Sequence, residues 1–593
     1  MENSVLIKNV YNNLLRLSIF GSITAMANMV IDAIVTGRFL GTDAVTASGL
    51  ISPIGIMVAL VCNLLGPGLS VLCTRYVGMA DKKRVDQVFG IVSITALITG
   101  SIFALAIFFG SDVLASLVCA ELNDPVVTGL AADYLKYYSF GIVFNSLSMC
   151  IAQVMLLDND MFRALAFTLT TLITNVILDL LNVLVFYGGM KGMALATSIS
   201  TICGFVVLIS HFTKKDRILH FNFKGLMLSD LKEGIVLGMS TSITQLCAVV
   251  KGLVFNHVLA SSQPDAVAAF AVANSANTLV ICIITSVLTT TSTLTSMFYG
   301  EVDRGGLERV MDVALKNMKK LAIALSLLYF IFAGPIAKLF LGGNEMSVST
   351  LAATFLRFLT VQFLFMSVSF PVSGGFMGTG RSDLGNAVAV LREGVYPVVM
   401  VAVLGTLFNT PGFEAGIVLS GVLCFVTTLI LSMINNKKMP HSGKDMLILP
   451  EEFSVDPDDL MEVAMKDMDD VAKTSEEVRA YCIRKGMDRR TALFFSLFVE
   501  EMAGNTVQHG FKGIKDGSVE MRLVYQQGRQ TIRLRDNGVP FDPVRWLEMN
   551  HNEDILKGAG IRMIVGMSKD IQYIPALQLN NLIVRIEDER PVA

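Results

Sequence analysis

The sequence predicts a polytopic α-helical membrane protein, with twelve transmembrane helices in two six-helix lobes, followed by a C-terminal α/β domain. Three observations carry that prediction. The chain has 593 residues, is 53% hydrophobic and only 16% charged, with a mean hydropathy of +0.60; ordinary globular proteins run at roughly 25% charged. The charge is also unevenly placed: 46 Asp, Glu, Lys and Arg fall in residues 441–593 and 51 in the first 440, about 30% against 12%. Finally, short motifs in the first half of the apolar region recur in the second at a near-constant offset. The resulting division is a membrane part at 1–436 (halves at about 1–220 and 221–436), a linker at 437–450, and a soluble part at 451–593.

A helix needs about 20 apolar residues to cross the hydrocarbon core. Runs of that kind begin near residues 12, 50, 88, 133, 163 and 193, and again near 233, 267, 316, 354, 384 and 414. The first run lacks the short h-region and cleavage site of a signal peptide, so it counts as a span. Basic clusters at Lys82-Lys83-Arg84, Arg163, Lys214-Lys215-Asp216-Arg217, Arg304 with Arg309, Arg381, and Lys437-Lys438 each follow an even-numbered span. Basic loops stay in the cytoplasm, which predicts a plasma-membrane protein with both termini cytoplasmic. Nine cysteines without CxxC spacing read as buried small hydrophobes.

The repeat is read from Asp43-Ala44-Val45, which returns as Asp265-Ala266-Val267, and from Gly78 with Asp81, which return as Gly300 with Asp303, all offset by 222 residues. Tyr134-Leu135-Lys136-Tyr137 answers to Phe355-Leu356-Arg357-Phe358 at 221. Parallel repeats of this kind point to a transporter whose lobes rock about a central site.

Three stretches then carry a resemblance: VIDAIVTGRFLGTDAVTASGL (Val30 to Leu50), GLSVLCTRYVGMAD (Gly68 to Asp81) and NVILDLLNVLVFYGGMKGMALATSIS (Asn175 to Ser200). Over roughly residues 10–436 the chain resembles multidrug and toxin extrusion (MATE) transporters. That resemblance implies a V-shaped pair of lobes and cation-coupled export of small organic compounds.

Ionisable residues inside a bilayer are expensive and call for a function. Asp32 ends the first span, Asp179 lies in the fifth with Asn175 one turn before it, and Thr197 opens the polar stretch of the sixth. Two carboxylates, an amide oxygen and a hydroxyl suit Na⁺, or a proton shared between acids. The four also match, position by position, the first-lobe cation site of the archaeal and DinF-like branch of the family. In the second lobe the position 222 after Asp32 is Val254, and the seventh span carries Lys251 and His257 where another branch keeps a glutamate. No second cation site is expected there; Lys251 either snorkels to the surface or stands as a fixed positive charge facing anionic cargo. Arg392 and Pro397 match a feature of the family's eleventh span, read as structural.

In the soluble part, ILPEEF reads as a strand, Asp456 to Lys485 and Arg489 to His509 as helices, SVEMRLVYQQ with RQTIRLRD as a hairpin, and LIVRIE as a closing strand. A mixed sheet covered by helices on one face is predicted. Glu501, Asn505 and His509 recur every fourth residue, so a helix presents them on one face. RDNGVPFDP follows, with Asp536 at a strand end and Gly538 in a turn; KGAGIRMI places Gly558 and Gly560 at a helix start, where backbone N–H groups meet phosphate.

The ordered trio ExxxNxxxH, DNGxPFDP and GxGI resembles the nucleotide-binding signature of Bergerat-fold (histidine kinase-like) ATPases, closest to the anti-sigma-factor serine kinase branch. It implies an α/β two-layer sandwich that binds ATP and Mg²⁺. Asn505 would offer an oxygen to Mg²⁺, Glu501 would act as general base, Asp536 would accept from the adenine amino group, and Gly538, Gly558 and Gly560 would admit ATP. His509 reads equally as a cap or a contact to ATP. Asn580 and Asn581 stand where the family keeps Gly-Thr, and no P-loop is present, which excludes an ABC-type pump. Without a phosphorylatable His on a dimerisation helix, histidine autokinase activity is disfavoured. Two functions follow as expectations: a Na⁺- or H⁺-coupled exporter regulated by its ATP-binding tail, and a membrane-anchored serine/threonine kinase acting on an anti-sigma antagonist-like partner. A lipid or glycan flippase fits the oxygen ligand set less well.

Overall fold

The computed structural model describes residues 5–587 apart from 121–123, 215–216, 223, 263, 342–345, 437–438, 441, 450–452, 454, 515, 527–528, 551–557 and 569. The first lobe consists of α1 (Val5–Val35), α2 (Thr42–Gly78), α3 (Lys82–Val118), α4 (Pro125–Met155), α5 (Met161–Leu181) and α6 (Gly189–Ile209). The second consists of α7 (Leu228–Ser262), α8 (Pro264–Gly300), α9 (Arg304–Leu341), α10 (Met346–Met366) with the short α11 (Ser369–Gly378), then α12 (Ser382–Val390) and α13 (Tyr396–Asn436). Among the described residues, eleven helical segments are long and apolar enough to cross a membrane. The last of them, Ser382–Ile434, breaks at Asn409 (φ 55°) into two, which gives the twelve spans expected.

Backbone conformation repeats with the sequence. Residues with left-handed φ pair across the lobes: Ala80 (56°) with Val302 (53°), Asn159 (52°) with Gly380 (78°), and Tyr187 (50°) with Asn409 (55°). The offsets are 222, 221 and 222 residues. A left-handed residue is uncommon outside glycine, so three coincidences in register reflect one ancestral turn set used twice.

In the tail, β1 (Leu460–Met465), α14 (Met468–Arg484), α15 (Arg489–Phe498), β2 (Val519–Gln526), β3 (Arg529–Asp536), α16 (Pro543–Met549), α17 (Ala559–Met567), β4 (Asp570–Ala576) and β5 (Leu579–Glu587) follow in that order. The sheet order is β1-β2-β3-β5-β4 and all four pairings are antiparallel. Three expectations are corrected here. The helix expected from Asp456 is a strand over Leu460–Met465, where pairing of all six residues with β2 outweighs helix propensity, and the helix starts only at Met468. The sheet is antiparallel where a mixed one is predicted. ILPEEF contributes no strand among its described residues: Ile448 is 3% exposed and packs with Met446 and Leu447 against the membrane helices. Gln527 and Gly528, in the turn of the expected hairpin, lie outside the described residues, as do residues 551–557 between Phe541 and Gly558.

Period-2 alternation gives the sheet two unlike faces. Met521, Leu523, Ile532, Leu534 and Val584 form a core with Val471, Val478, Phe495 and Phe498 of α14 and α15. The intervening residues, Arg522, Arg533, Arg535 and Arg585, turn the other way, onto the membrane helices. Arg533 and Arg535 both pair with Glu301. Arg533 Nη2 donates to the Gly78 carbonyl at 2.9 Å, Arg522 to the Glu301 and Val302 carbonyls at 3.1 and 2.8 Å, and Arg585 to the Met79 carbonyl at 2.8 Å. Lys82 Nζ donates to the Tyr573 carbonyl at 3.0 Å. The sheet therefore touches the α2–α3 turn of one lobe and the α8–α9 turn of the other, the two turns that the repeat makes equivalent.

Candidate functional site

The first lobe gathers its acids between α1, α5 and α6. Asp179 is fully buried, one turn beyond Asn175 on α5. Asn175 Nδ2 donates to Asp32 Oδ1 at 2.5 Å and to Asp179 Oδ2 at 2.9 Å, so one amide bridges the two carboxylates. The Asn175 amide oxygen, expected to face an ion, instead accepts from Ser200 Oγ at 3.1 Å. Thr197 Oγ1 donates to the Met193 carbonyl at 3.1 Å. The helices widen to π turns directly after each acid, at Thr36–Leu40 and Asn182–Phe186, a distortion frequent at functional positions.

Two carboxylates bridged by one amide, one of them fully buried, call for a cation or a shared proton between them. Asp179 Oδ1 is buried without a hydrogen-bond partner among the described residues, which leaves one oxygen valence for that cation or proton. Alongside lies a cavity of about 220 Å³ whose lining includes the polar side chains of Thr24, Asn28, Tyr138, Asn145, Thr197 and Thr201 among apolar ones such as Met149 and Phe167. Asn28 Oδ1 is likewise unpartnered there. Thr24, Asn28 and Asp32 follow one another every fourth residue on α1. That stripe was legible in the sequence; the sequence reading isolates only its last member.

In the tail, Glu501, Asn505 and His509 lie on the extension of α15, which opens into π turns at Val499–Ala503 and Thr506–Gly510. Glu501 and Asn505 are half-buried and His509 is exposed. The Glu501 carboxylate lies directly against Gly560: a Cβ there would overlap it. Gly560 thus lets the acid approach the N-terminus of α17, whose Gly558 cap is left-handed at φ 68°. The Glu501 carboxylate stands beside the backbone N–H groups of a helix N-terminus, a kind of place where phosphate can bind.

Asp536 closes β3 and is 8% exposed. Its Oδ1 accepts from Gly538 N at 2.7 Å and from Asn580 Nδ2 at 2.8 Å. Asn580 also donates to the Gly538 carbonyl at 2.9 Å and accepts from the Tyr573 hydroxyl at 2.8 Å, which itself accepts from Phe541 N. The asparagine found in place of the expected Gly-Thr is thus what orients Asp536. Asn581 faces the other way, accepting from Arg535 Nε at 3.3 Å. Burial pushes the Asp536 carboxyl up to about 6, against the hydrogen bonds from Asn580 and Gly538 that favour its ionised form.

The sign of the resulting pH effect follows. A carboxyl raised on folding keeps its proton over a window where the unfolded chain, near 3.9, has released it. Asp536 therefore costs stability progressively as pH rises from about 4 to about 6. An ionised acceptor for an adenine amino group is available only above that window. ATP affinity of the full chain is expected to fall about tenfold between pH 7 and pH 5, while Asp536→Asn binds weakly with a flat profile. Equilibrium binding of labelled ATP in nanodiscs checks this; a flat wild-type profile contradicts it.

The MatE family model matches residues 18–181 and 241–403, and the histidine kinase-like ATPase domain model matches 465–586, wholly within the tail. Over 421 residues the chain is 21% identical to the multidrug export protein MepA of Staphylococcus haemolyticus, covering 70% of this chain and 91% of that protein. It is 22% identical over 347 residues to the probable multidrug resistance protein YoeA of Bacillus subtilis, covering 55% and 72%. Among solved structures, an outward-facing MATE family transporter of the MOP superfamily superposes with a TM-score of 0.66 at 21% identity, over 71% of this chain and 94% of that one. A MATE crystal structure in the straight conformation gives 0.66 at 22%, over the same shares. At such identity the structures establish the fold.

Proposed function

Since the chain belongs to the MatE family and carries a histidine kinase-like ATPase domain as its tail, we propose that it is a Na⁺- or H⁺-coupled exporter of small organic compounds, regulated by ATP. The relatives named as multidrug export proteins support an organic cargo. The observation that carries the coupling is the Asp32–Asn175–Asp179 set, with Asp32 half-buried, the other two fully buried and one carboxylate oxygen open. A cation or proton entering from the outside neutralises the pair; cargo and ion then compete for the two states of the lobe. Both termini, and the tail with its ATP, lie in the cytoplasm of a plasma-membrane protein, on the side of the basic loops.

Two features support regulation in place of a pump. β3 presents Arg533 and Arg535 to Glu301 and ends at Asp536, so the nucleotide pocket and the docking face share one strand. Tyr573 gives its carbonyl to Lys82 and its hydroxyl to Asn580, which links the same two places a second time. Because the sheet spans the equivalent turns of both lobes, its docking holds that side shut, and Asn505, Glu501 and α17 gathering around Mg²⁺-ATP shift the strength of the clasp. Proteoliposomes containing the full chain test the exporter reading: an imposed Na⁺ or H⁺ gradient drives efflux of an encapsulated organic dye, and no efflux under either gradient would overturn it.

A second reading is favoured by Glu501, placed as a base beside the phosphate-binding helix end. Here the tail transfers the γ-phosphoryl group to a serine of an anti-sigma antagonist-like partner, and the lobes act as the sensor. Glu501→Ala then abolishes phosphorylation of a bacterial partner from labelled ATP, and gradient-driven efflux continues. Absence of any labelled partner removes this reading.

A further inference from the structure

The second lobe holds a buried charge cluster that the mechanism above leaves unused. Glu393 Oε2 lies 3.3 Å from Lys251 Nζ on α7, and Glu393 Oε1 accepts from Arg392 Nε at 3.0 Å. Arg392 Nη1 reaches Ser369 Oγ at 3.4 Å, and its guanidinium sits 3.8 Å from the Phe370 ring centroid. Glu393 and Arg392 sit in a third membrane π turn, Leu391–Val395, between α12 and α13. Gly394 lets α7 close on that turn: a Cβ there would stand 2.7 Å from Cys247 Sγ, one turn before Lys251.

The repeat relates this cluster to the acids of the first lobe. Lys251 precedes Val254, the counterpart of Asp32, by three residues; Glu393 precedes Tyr396, the counterpart of Asn175, also by three. The first and fifth helices of each lobe thus make the equivalent contact, displaced by one turn. Polarity is reversed. The first lobe presents two acids, whereas here two bases share one acid, and among the described residues Glu393 is the carboxylate with which both pair.

The excess positive charge has one outlet. Arg392 is 2% exposed, spread over Phe370 and anchored on Glu393, while the Lys251 side chain is 22% exposed. Thr241 and Ser242 of α7 donate to the carbonyls of Asn63 and Leu60 on α2. Lys251 stands roughly 13 Å further along α7, where Leu246, Val250 and Leu253 of α7 and Met57 of α2 are exposed. Two bases on one acid leave one positive charge in excess at membrane depth, which calls for an anion.

We propose that Lys251 is the recognition point for an acidic group, a carboxylate or sulfonate, on the exported compound, and that Glu393 is its exchangeable counter-ion. This rests on the exporter reading and names its cargo class. When an acidic group arrives, Lys251 leaves Glu393, which keeps Arg392; when the cargo departs, Lys251 returns, so the ammonium is never left bare. No covalent step is involved.

The test uses two probes of one skeleton, 1-naphthalenesulfonate and 1-naphthylmethyl-trimethylammonium, with the full chain in nanodiscs. Sulfonate affinity is expected to rank Glu393→Gln above wild type above Lys251→Ala, each step at least tenfold, with Lys251→Arg near wild type. The ammonium probe is expected to show no such order. A merely structural ion pair would lower sulfonate binding in both Lys251→Ala and Glu393→Gln, and that result, or an unchanged affinity in Lys251→Ala, would overturn the proposal. Gradient-driven efflux of an organic dye without this order sinks the cargo class alone; the order without any gradient-driven efflux sinks the exporter reading alone.

Discussion

Asp32→Asn and Asp179→Asn are each expected to abolish gradient-driven export while leaving the full chain folded and able to bind ATP. The physical reason is the shared site: Asn175 donates one hydrogen to each carboxylate, at 2.5 and 2.9 Å, and so holds the two acids together. Removing one charge leaves a neutral amide where a cation or proton must be held. Losing one partner of a buried pair costs about 3–5 kcal/mol, on the order of a hundred- to several-thousand-fold in ion affinity. The asparagines are nearly isosteric, so packing around α1 and α5 is kept. Efflux from proteoliposomes under an imposed gradient reads the effect. Undiminished efflux in both variants would remove the first lobe from the coupling mechanism.

The second large effect concerns the clasp between tail and lobes. Glu301 has a side chain only 1% exposed and serves both Arg533 and Arg535, while Arg535 Nη1 also lies 3.7 Å from Asp303 and its guanidinium 4.7 Å from the Phe298 ring. Replacing both arginines by alanine strands the Glu301 carboxylate in a dry interface, again about 3–5 kcal/mol, enough to release the sheet. In Arg533→Ala/Arg535→Ala, gradient-driven efflux is expected to persist at or above the wild-type rate and to lose its response to ATP. Limited proteolysis should cut between residues 437 and 450 far faster than in wild type. An intact nucleotide response in the double variant would show that the clasp does not transmit it.

Much of this was legible before any coordinates. Hydrophobic run length and loop charge gave the spans, since bilayer thickness admits few alternatives, and the offset near 222 residues reappears as paired left-handed residues such as Tyr187 and Asn409. Asp32, Asn175 and Asp179 were visible because charge inside an apolar run is conspicuous. Glu393 was not singled out, because it sits beside Arg392 in LREGV and reads as part of a self-neutralising pair; only the contact from Lys251, 142 residues away, reveals the excess charge. The role of Asn580 was hidden for a related reason: its partner Asp536 lies 44 residues earlier and is met only across the β3–β5 pairing. Likewise, the arginine row of RQTIRLRD reads as the solvent face of a half-buried strand. Nothing local distinguishes water from the ends of α2 and α8 as the surface such a face meets.

The central claim is that the ion gradient supplies the work and ATP sets the rate. The most direct measurement compares cargo movement in proteoliposomes of the full chain under two conditions: an imposed Na⁺ or H⁺ gradient without nucleotide, and Mg²⁺-ATP on the tail side with no gradient. The gradient alone is expected to drive cargo against its own concentration difference, and Mg²⁺-ATP to change the speed of that movement without driving it. Uphill transport with Mg²⁺-ATP and no gradient would contradict the account.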